Sequence, residues 1–123
     1  MELKHKSEWP ELIYIAKLKN FGYDKTVILL AIREVENGPK GMEFNRLDAL
    51  SSDLNGQARV MCNYINEKDK EYQRYLIRTD SNDELFSFVE YLRMDSDKIE
   101  EYIKQIRLEF ETMPKEDKWK IIK

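Results

Sequence analysis

The chain has 123 residues, of which 41% are hydrophobic, 37% charged and 11% aromatic. This length corresponds to one domain with a core that needs no disulfide or metal, so we expect residues 1–123 to fold as a unit. The 24 acidic and 21 basic residues leave a net charge of −3, which argues against a polybasic arm and disfavours nucleic-acid binding through phosphate contacts. The single cysteine excludes an intrachain disulfide, and no apolar run is long enough to span a bilayer.

The first predicted elements are two helices separated by a glycine turn. Ser7 is the expected cap of the first helix, with Pro10 in its first turn, where a missing N–H costs little. Gly22 is expected to end this helix in the left-handed C-cap conformation. Asp24 is expected to cap a second helix that runs to about Glu36. This helix is apolar nearly all round, which is typical of the buried centre of a small domain.

A small β element and a third helix are predicted next. Residues 42–50 alternate weakly between apolar and polar and predict a short strand or small hairpin. Ser52 or Asp53 is expected to cap the third helix. Its apolar positions recur at helical spacing: Leu54, Ala58, Met61, Cys62 and Ile65.

Two further helices are predicted in the last third of the chain. A capping box at 81–84 opens one of them, and Ser96 or Asp97 is expected to cap the other. The segment 80–101, which spans their starts, holds eight acidic and two basic residues. The predicted fold class is therefore mainly α, formally α+β, with one small β element after the second helix.

The single cysteine is predicted to be structural. Cys62 lies in the apolar stripe of the third helix, which predicts a buried and inert thiol. The only histidine, His5, lies near the N-terminus, so a Cys–His catalytic pair would require that terminus to fold back. One cysteine and one histidine cannot form a thiolate zinc site, and we expect no metal or other cofactor.

The end of the second helix is the segment with the clearest chemical potential. Glu36 stands in its last turn, where the partial negative charge of a helix C-terminus disfavours an anion. Apolar walls would also favour the protonated form by desolvation, and a general acid for glycoside cleavage needs that form. The glycine-rich turn that follows would let a substrate approach the backbone closely. An isolated Glu-Asn-Gly is, by contrast, typical of an ordinary helix-ending turn.

Two runs of sequence carry a resemblance to a known family. Residues 31–44 read AIREVENGPKGMEF, and residues 57–60 read QARV. They resemble small phage and prophage proteins of the lysozyme-like superfamily, in its lytic-transglycosylase-like branch. In that family a helix ending in AIR-x-x-ENG precedes a glycine-rich turn, a strand reading REFGVL and a helix with QAR or QLR. The resemblance covers roughly residues 12–93, and 94–123 are expected to form a helical C-terminal elaboration.

This resemblance implies a lysozyme-like fold and an activity. The implied reaction cleaves the β-1,4 bond between N-acetylmuramic acid and N-acetylglucosamine, so the implied partner is the glycan strand of peptidoglycan. Glu36 matches the catalytic glutamate, which protonates the leaving oxygen and then acts as the base in a transglycosylase. Asn37 and Gly38 match the turn that sets the direction of this acid.

Other residues near this motif are candidate substrate ligands. Glu43 and Asn45 in the predicted strand, Gln57 in the third helix and Tyr75 beyond it are expected to contact the glycan. Glu43 is also the best candidate for a second carboxylate, ahead of Asp48 and Asp53, although each acid fits a solvated surface position too. Tyrosines at helical spacing favour either sugar stacking or packing at the rim of the core: Tyr64, Tyr72 and Tyr75.

A second hypothesis follows from the departures from the family pattern. The strand is here MEFNRL at 42–47, and the family's C-terminal signature is not recognisable. The alternative is a non-catalytic phage protein that binds and inhibits a host defence protein through the acidic segment 80–101. No signal peptide is visible, which predicts synthesis in the cytoplasm. An enzyme would then reach the cell wall after phage-mediated release or within a virion, whereas an inhibitor would act in the cytoplasm.

Overall fold

The protein is mainly helical, as predicted. A computed structural model describes residues 2–47, 53–79, 85–92 and 94–112. A 3-10 turn at Lys6–Glu8 precedes five helices in these ranges: α1 at Trp9–Leu18, α2 at Tyr23–Glu36, α3 at Leu54–Thr79, α4 at Leu85–Tyr91 and α5 at Ser96–Thr112. Within the same ranges no helix is both long and apolar enough to cross a membrane.

The predicted β element is not seen in residues 42–47, which form turns and irregular backbone; residues 48–50 lie outside the described part of the chain. Asn45 adopts a left-handed conformation with φ of 52°, which interrupts an extended strand. The backbone amides of Phe44 and Arg46 both donate to Oε1 of Gln57, each at 3.1 Å. A buried side chain therefore takes the hydrogen bonds that a neighbouring strand would otherwise satisfy.

The centre of the fold is α2, as its nearly continuous apolar sequence predicted. This helix packs most extensively against α5 and also contacts α1 and α3. Six consecutive apolar side chains of α2 have no exposed surface: Val27, Ile28, Leu29, Leu30, Ala31 and Ile32. Burial on all sides removes this apolar area from water and holds the far end of α2, where Glu36 lies, against a rigid core.

The apolar face predicted for the third helix is confirmed except at Leu54, which is only half-buried. On α3, Ala58, Met61, Cys62 and Ile65 are buried, and the core also takes side chains from the C-terminal helices: Phe88, Val89, Leu92, Ile99, Ile103, Ile106 and Phe110. Residues this regularly spaced lie on one side of a helix whatever its neighbours are, which is why the faces were predictable.

The predicted junction between α1 and α2 is wrong in its details. Asn20, with φ of 62°, takes the left-handed position after α1. The amide of Phe21 bonds the carbonyl of Ala16 at 2.9 Å, and that of Asn20 bonds Lys17 at 3.0 Å, which is the Schellman pattern. Asparagine tolerates this conformation, so Gly22 is not needed there. Gly22 instead precedes α2 in an extended conformation.

Aspartate side chains cap two of the helices, α3 and α5. Asp53 precedes α3, and its Oδ1 accepts a bond from the amide of Gly56 at 3.0 Å, as predicted. Asp95 caps α5 by accepting from Lys98 at 3.3 Å, so the cap lies one residue before the predicted Ser96. Asp24 is not a cap, because it lies within the first turn of α2. The capping box predicted at 81–84 lies outside the described residues.

The thiol of Cys62 should make the protein less stable at alkaline pH. Burial raises the pKa of this thiol from 9.0 to about 12. The unfolded chain releases the proton at a lower pH than the native state does, so the free energy of unfolding should fall as pH rises above 9. Burial also raises the pKa of Tyr23, which acts in the same direction. Urea denaturation between about pH 8 and pH 10.5 measures this slope.

Cys62→Ala provides the control for this prediction. Alanine lowers stability at every pH because it leaves a cavity, but it carries no proton, so the alkaline slope should become shallower. An unchanged slope in Cys62→Ala would contradict the assignment. The native thiol should also resist a thiol reagent until the protein unfolds, since the thiolate is the reactive form.

Candidate functional site

Glu36 ends α2 at the edge of an open cavity. The next residue, Asn37, adopts a left-handed conformation with φ of 43°, and its amide still bonds the carbonyl of Arg33 at 3.0 Å. Glu36 is half-buried. The cavity has a volume of about 200 Å³ and is lined by residues from three parts of the fold: Glu36, Phe44, Asn45, Arg46, Met61, Tyr64, Leu92 and Met94. A dry, enclosed cavity of about 150 Å³ holds benzene; an N-acetylated sugar is larger, so only part of one would lie inside this open cavity.

The carboxylate of Glu36 has a defined direction. Nδ2 of Asn45 donates to Oε2 of Glu36 at 2.7 Å and to the backbone carbonyl of Glu36 at 3.3 Å. Asn45 reaches both acceptors because of its left-handed backbone, and its own amide is held by the carbonyl of Met42 at 2.9 Å. One side-chain amide therefore joins the acid to the loop that faces it.

Residues 37–47, which we call the Glu36 loop, follow α2 and fold tightly on themselves beside the cavity. A Cβ atom at Gly38 would overlap the carbonyl of Met42, so only glycine fits this position. The carboxylate of Glu43 turns back to accept from the amide of Gly41 at 2.9 Å, and Glu43 is only 4% exposed. Its side chain is not among those lining the cavity, so the loop uses Glu43 for its own closure.

Gln57 fastens the same loop to α3. Its side chain has no exposed surface. Besides accepting from Phe44 and Arg46, it donates through Nε2 to the carbonyl of Arg46 at 3.0 Å. These bonds fix the backbone on both sides of Asn45. Any effect of Gln57 on a bound ligand would thus pass through the loop.

Arg33 anchors the base of the loop from inside the protein. It is 4% exposed, and its Nη1 donates to the carbonyls of Gly38 and Glu43 at 3.3 and 3.0 Å. Its Nε and Nη2 donate to the two carboxylate oxygens of Glu8 at 2.7 and 3.2 Å. This bidentate pair is the strong form of the arginine–carboxylate contact, and it connects the N-terminal turn to the Glu36 loop.

The N-terminal segment adds a second set of contacts at the end of α2. The carboxylate of Glu34, which is 5% exposed, accepts from the amides of Lys4 and His5 at 3.0 and 2.8 Å. Nε2 of His5 lies 2.6 Å from Oδ1 of Asn37. The N-terminus therefore does fold back, but it brings His5 to the turn after Glu36. Sequence reasoning missed this network, although the charged Arg33 and Glu34 directly after the apolar run of α2 were a signal for it.

The tyrosines divide between the cavity and a separate cluster. Tyr64 lines the cavity, its hydroxyl donates to the carbonyl of Leu92 at 3.3 Å, and the guanidinium of Arg46 lies 4.8 Å from its ring centroid. Tyr75 is not among the lining residues. It lies further along α3, with its ring near those of Tyr72 and Tyr91.

The structure thus brings together some of the predicted site residues and separates others. Glu36 and Asn45 share the cavity, and Asn37 is exposed beside it. Four others lie outside the cavity lining: Gly38, Glu43 and Gln57 support the loop, and Tyr75 lies apart from it. Asp53 caps α3, and Asp48 lies outside the described residues. Comparison of the chain with protein-family models, curated proteins and solved structures yields no match.

Proposed function

We propose that the protein cleaves peptidoglycan glycan strands as a lytic transglycosylase, with Glu36 as its acid and base. One observation carries this proposal: half-buried Glu36 lines an open cavity of about 200 Å³. The polar side chains of Glu36, Asn45 and Arg46 lie among apolar and aromatic lining residues, and small-molecule sites also use a few placed polar groups to orient a ligand.

The proposed reaction needs one carboxyl group. Glu36 donates its proton to the glycosidic oxygen as the bond from that oxygen to C1 of the muramic acid breaks. The resulting carboxylate then takes the proton of the C6 hydroxyl, whose oxygen bonds to C1 and closes a 1,6-anhydro ring. The reaction consumes no water, and Glu36 ends in the protonated form in which it began.

The position of Glu43 favours this outcome over hydrolysis. Hydrolytic mechanisms usually employ a second carboxylate as nucleophile or as base for water. Among the described residues that line the cavity, Glu36 is the only acid, while the carboxylate of Glu43 bonds Gly41 inside the loop.

Digestion of insoluble peptidoglycan tests the proposal directly. Purified protein should release soluble muropeptides, and mass spectrometry should identify 1,6-anhydro ends. A folded helical protein that releases no muropeptides would rule out the enzyme. Reducing ends in place of anhydro ends would show a hydrolase and overturn the transglycosylase mechanism.

The alternative function, inhibition of a host protein through an acidic surface, depends on the segment 80–101. In the described part of this region, Nζ of Lys98 lies 3.8 Å from Asp95, and Nζ of Lys104 lies 4.0 Å from Glu101. These neighbouring cations offset two of the carboxylates, which lowers the negative charge that the surface presents to a basic partner. A stoichiometric protein captured from host lysate, with no retention on cell wall, would favour the alternative.

A further inference from the structure

A row of polar and aromatic side chains leads from the acid cavity along α3. It begins at Tyr64 in the cavity wall, and Nζ of Lys68 lies 5.8 Å from the centroid of that ring. The same ammonium group lies 3.2 Å from Oε2 of Glu71. The hydroxyl of Tyr91 on α4 donates to this oxygen at 3.4 Å. The rings of Tyr91 and Tyr75 follow, with centroids 6.2 Å apart.

The row is continuous because of helical spacing. Four of its members, Tyr64, Lys68, Glu71 and Tyr75, recur at i, i+4, i+7 and i+11, which places them on one face of α3. At 1.5 Å per residue, they extend about 16 Å along the helix axis. This length exceeds the length of one sugar ring, so the row is long enough to contact several rings of an extended glycan chain.

The far end of the row is a firmly supported aromatic surface. Tyr72 is 4% exposed, and its ring lies beneath Tyr75 at 6.3 Å with an interplanar angle of 18°. Tyr91 packs against Tyr72 at 5.2 Å. Tyr75 itself remains 40% exposed. Contact with buried Tyr72 and half-buried Tyr91 restricts this ring, so binding a ligand to it costs little conformational entropy.

We propose that the row formed by Tyr64, Lys68, Glu71, Tyr91 and Tyr75 binds the glycan beyond the ring held at Glu36. This inference rests on the proposed function, because the cavity and the row would hold one and the same chain. Sugar rings present C–H groups that pack on the negative face of an aromatic ring. Their hydroxyls donate to a carboxylate such as Glu71 and accept from an ammonium such as Lys68.

Binding of N-acetylglucosamine oligomers of two lengths tests the row. The parent protein is Glu36→Gln, in which no turnover interferes with calorimetric titration. We expect it to bind the hexamer more tightly than the dimer. Adding Tyr75→Ala should weaken hexamer binding on the order of fivefold, the size of one ring contact, with dimer binding unchanged. Tyr75→Leu, which keeps apolar packing on Tyr72, should show the same loss.

Tyr14→Ala is the matched control, because Tyr14 is an exposed tyrosine on α1, 59% accessible. It should leave both affinities unchanged. Three results would each contradict glycan binding at the row. They are equal affinity of the parent for dimer and hexamer, no binding of either, and a Tyr75 variant that behaves like Tyr14→Ala. Length-dependent binding that requires Tyr75, without any cell-wall cleavage by the wild type, would support the row and refute the enzyme. Cleavage that requires Glu36, with hexamer binding independent of Tyr75, would support the enzyme and refute binding at the row.

Discussion

Replacement of Glu36 by glutamine should abolish the release of muropeptides from peptidoglycan, with a rate loss of about 10²–10⁴-fold. Glutamine has the size of glutamate but cannot deliver a proton to the leaving oxygen or accept one afterwards. Its amide oxygen can still accept the bond from Nδ2 of Asn45, which reaches Glu36 at 2.7 Å. The variant should therefore keep its fold and its cavity, and circular dichroism and a release assay would check both.

Glu11→Gln is the control for this experiment. Glu11 is an exposed acid on α1, so the substitution changes the net charge by the same amount at a distance from the cavity. It should release muropeptides at the wild-type rate. Full activity of Glu36→Gln would show that another group supplies the proton and that the assigned mechanism is wrong.

Replacement of Arg33 by methionine should lower the free energy of unfolding by about 3 kcal/mol, because it breaks charged hydrogen bonds and removes the donor from two buried backbone carbonyls. Methionine fills much of the space of the arginine stem. It leaves the carboxylate of Glu8 without its bidentate partner and removes the donor to the carbonyls of Gly38 and Glu43. Urea denaturation measures the loss.

Lys25→Met is the matched control for Arg33→Met. It breaks the pair between Lys25 and Asp69, which is equally short at 2.7 Å but has side chains 28% and 25% exposed. Water already reaches both side chains of this pair, and the change leaves no buried backbone carbonyl without a donor, so the expected loss is below about 1 kcal/mol. An equal loss of unfolding free energy in the two variants would show that the burial of Arg33 adds nothing to stability beyond an exposed ion pair.

A double-mutant cycle separates the two tasks of Arg33. If the pair with Glu8 dominates, the Glu8→Ala change should cost much less in the Arg33→Met background than in the wild type. The remaining loss then reports on the two loop carbonyls. Because the loop carries Asn45, which holds Glu36, Arg33→Met should also slow muropeptide release more than Lys25→Met does.

Local patterns accounted for the helices and for the place of Glu36 in the chain. The apolar spacing of α2 and α3 predicted their buried faces, since helical periodicity brings those residues together without reference to the rest of the fold. Asp53 was predictable as a cap because its hydrogen-bond partner, the amide of Gly56, lies only three residues away. At the end of α1, the preference of glycine for the left-handed C-cap predicted Gly22, whereas Asn20 takes that position in the structure.

The missing strand shows where local patterns cease to be sufficient. Residues 42–47 alternate weakly, but a strand requires a partner for its backbone. The amides on either side of Asn45 find theirs in the side chain of Gln57, more than ten residues away. Alternation cannot reveal that competitor, because it depends on how α3 packs beside the loop.

Local patterns in the chain suffice to predict a mainly helical protein with an acid at the end of its most apolar helix. The surroundings of that acid depend on long-range packing. Glu8 reaches Arg33 across 25 positions and the amide of Lys4 reaches Glu34 across 30. Such contacts depend on the packing of whole helices, which no short window of sequence contains. The same packing turned Glu43 into the loop and left Glu36 facing a cavity, which distinguishes a candidate catalytic acid from an ordinary helix-ending glutamate.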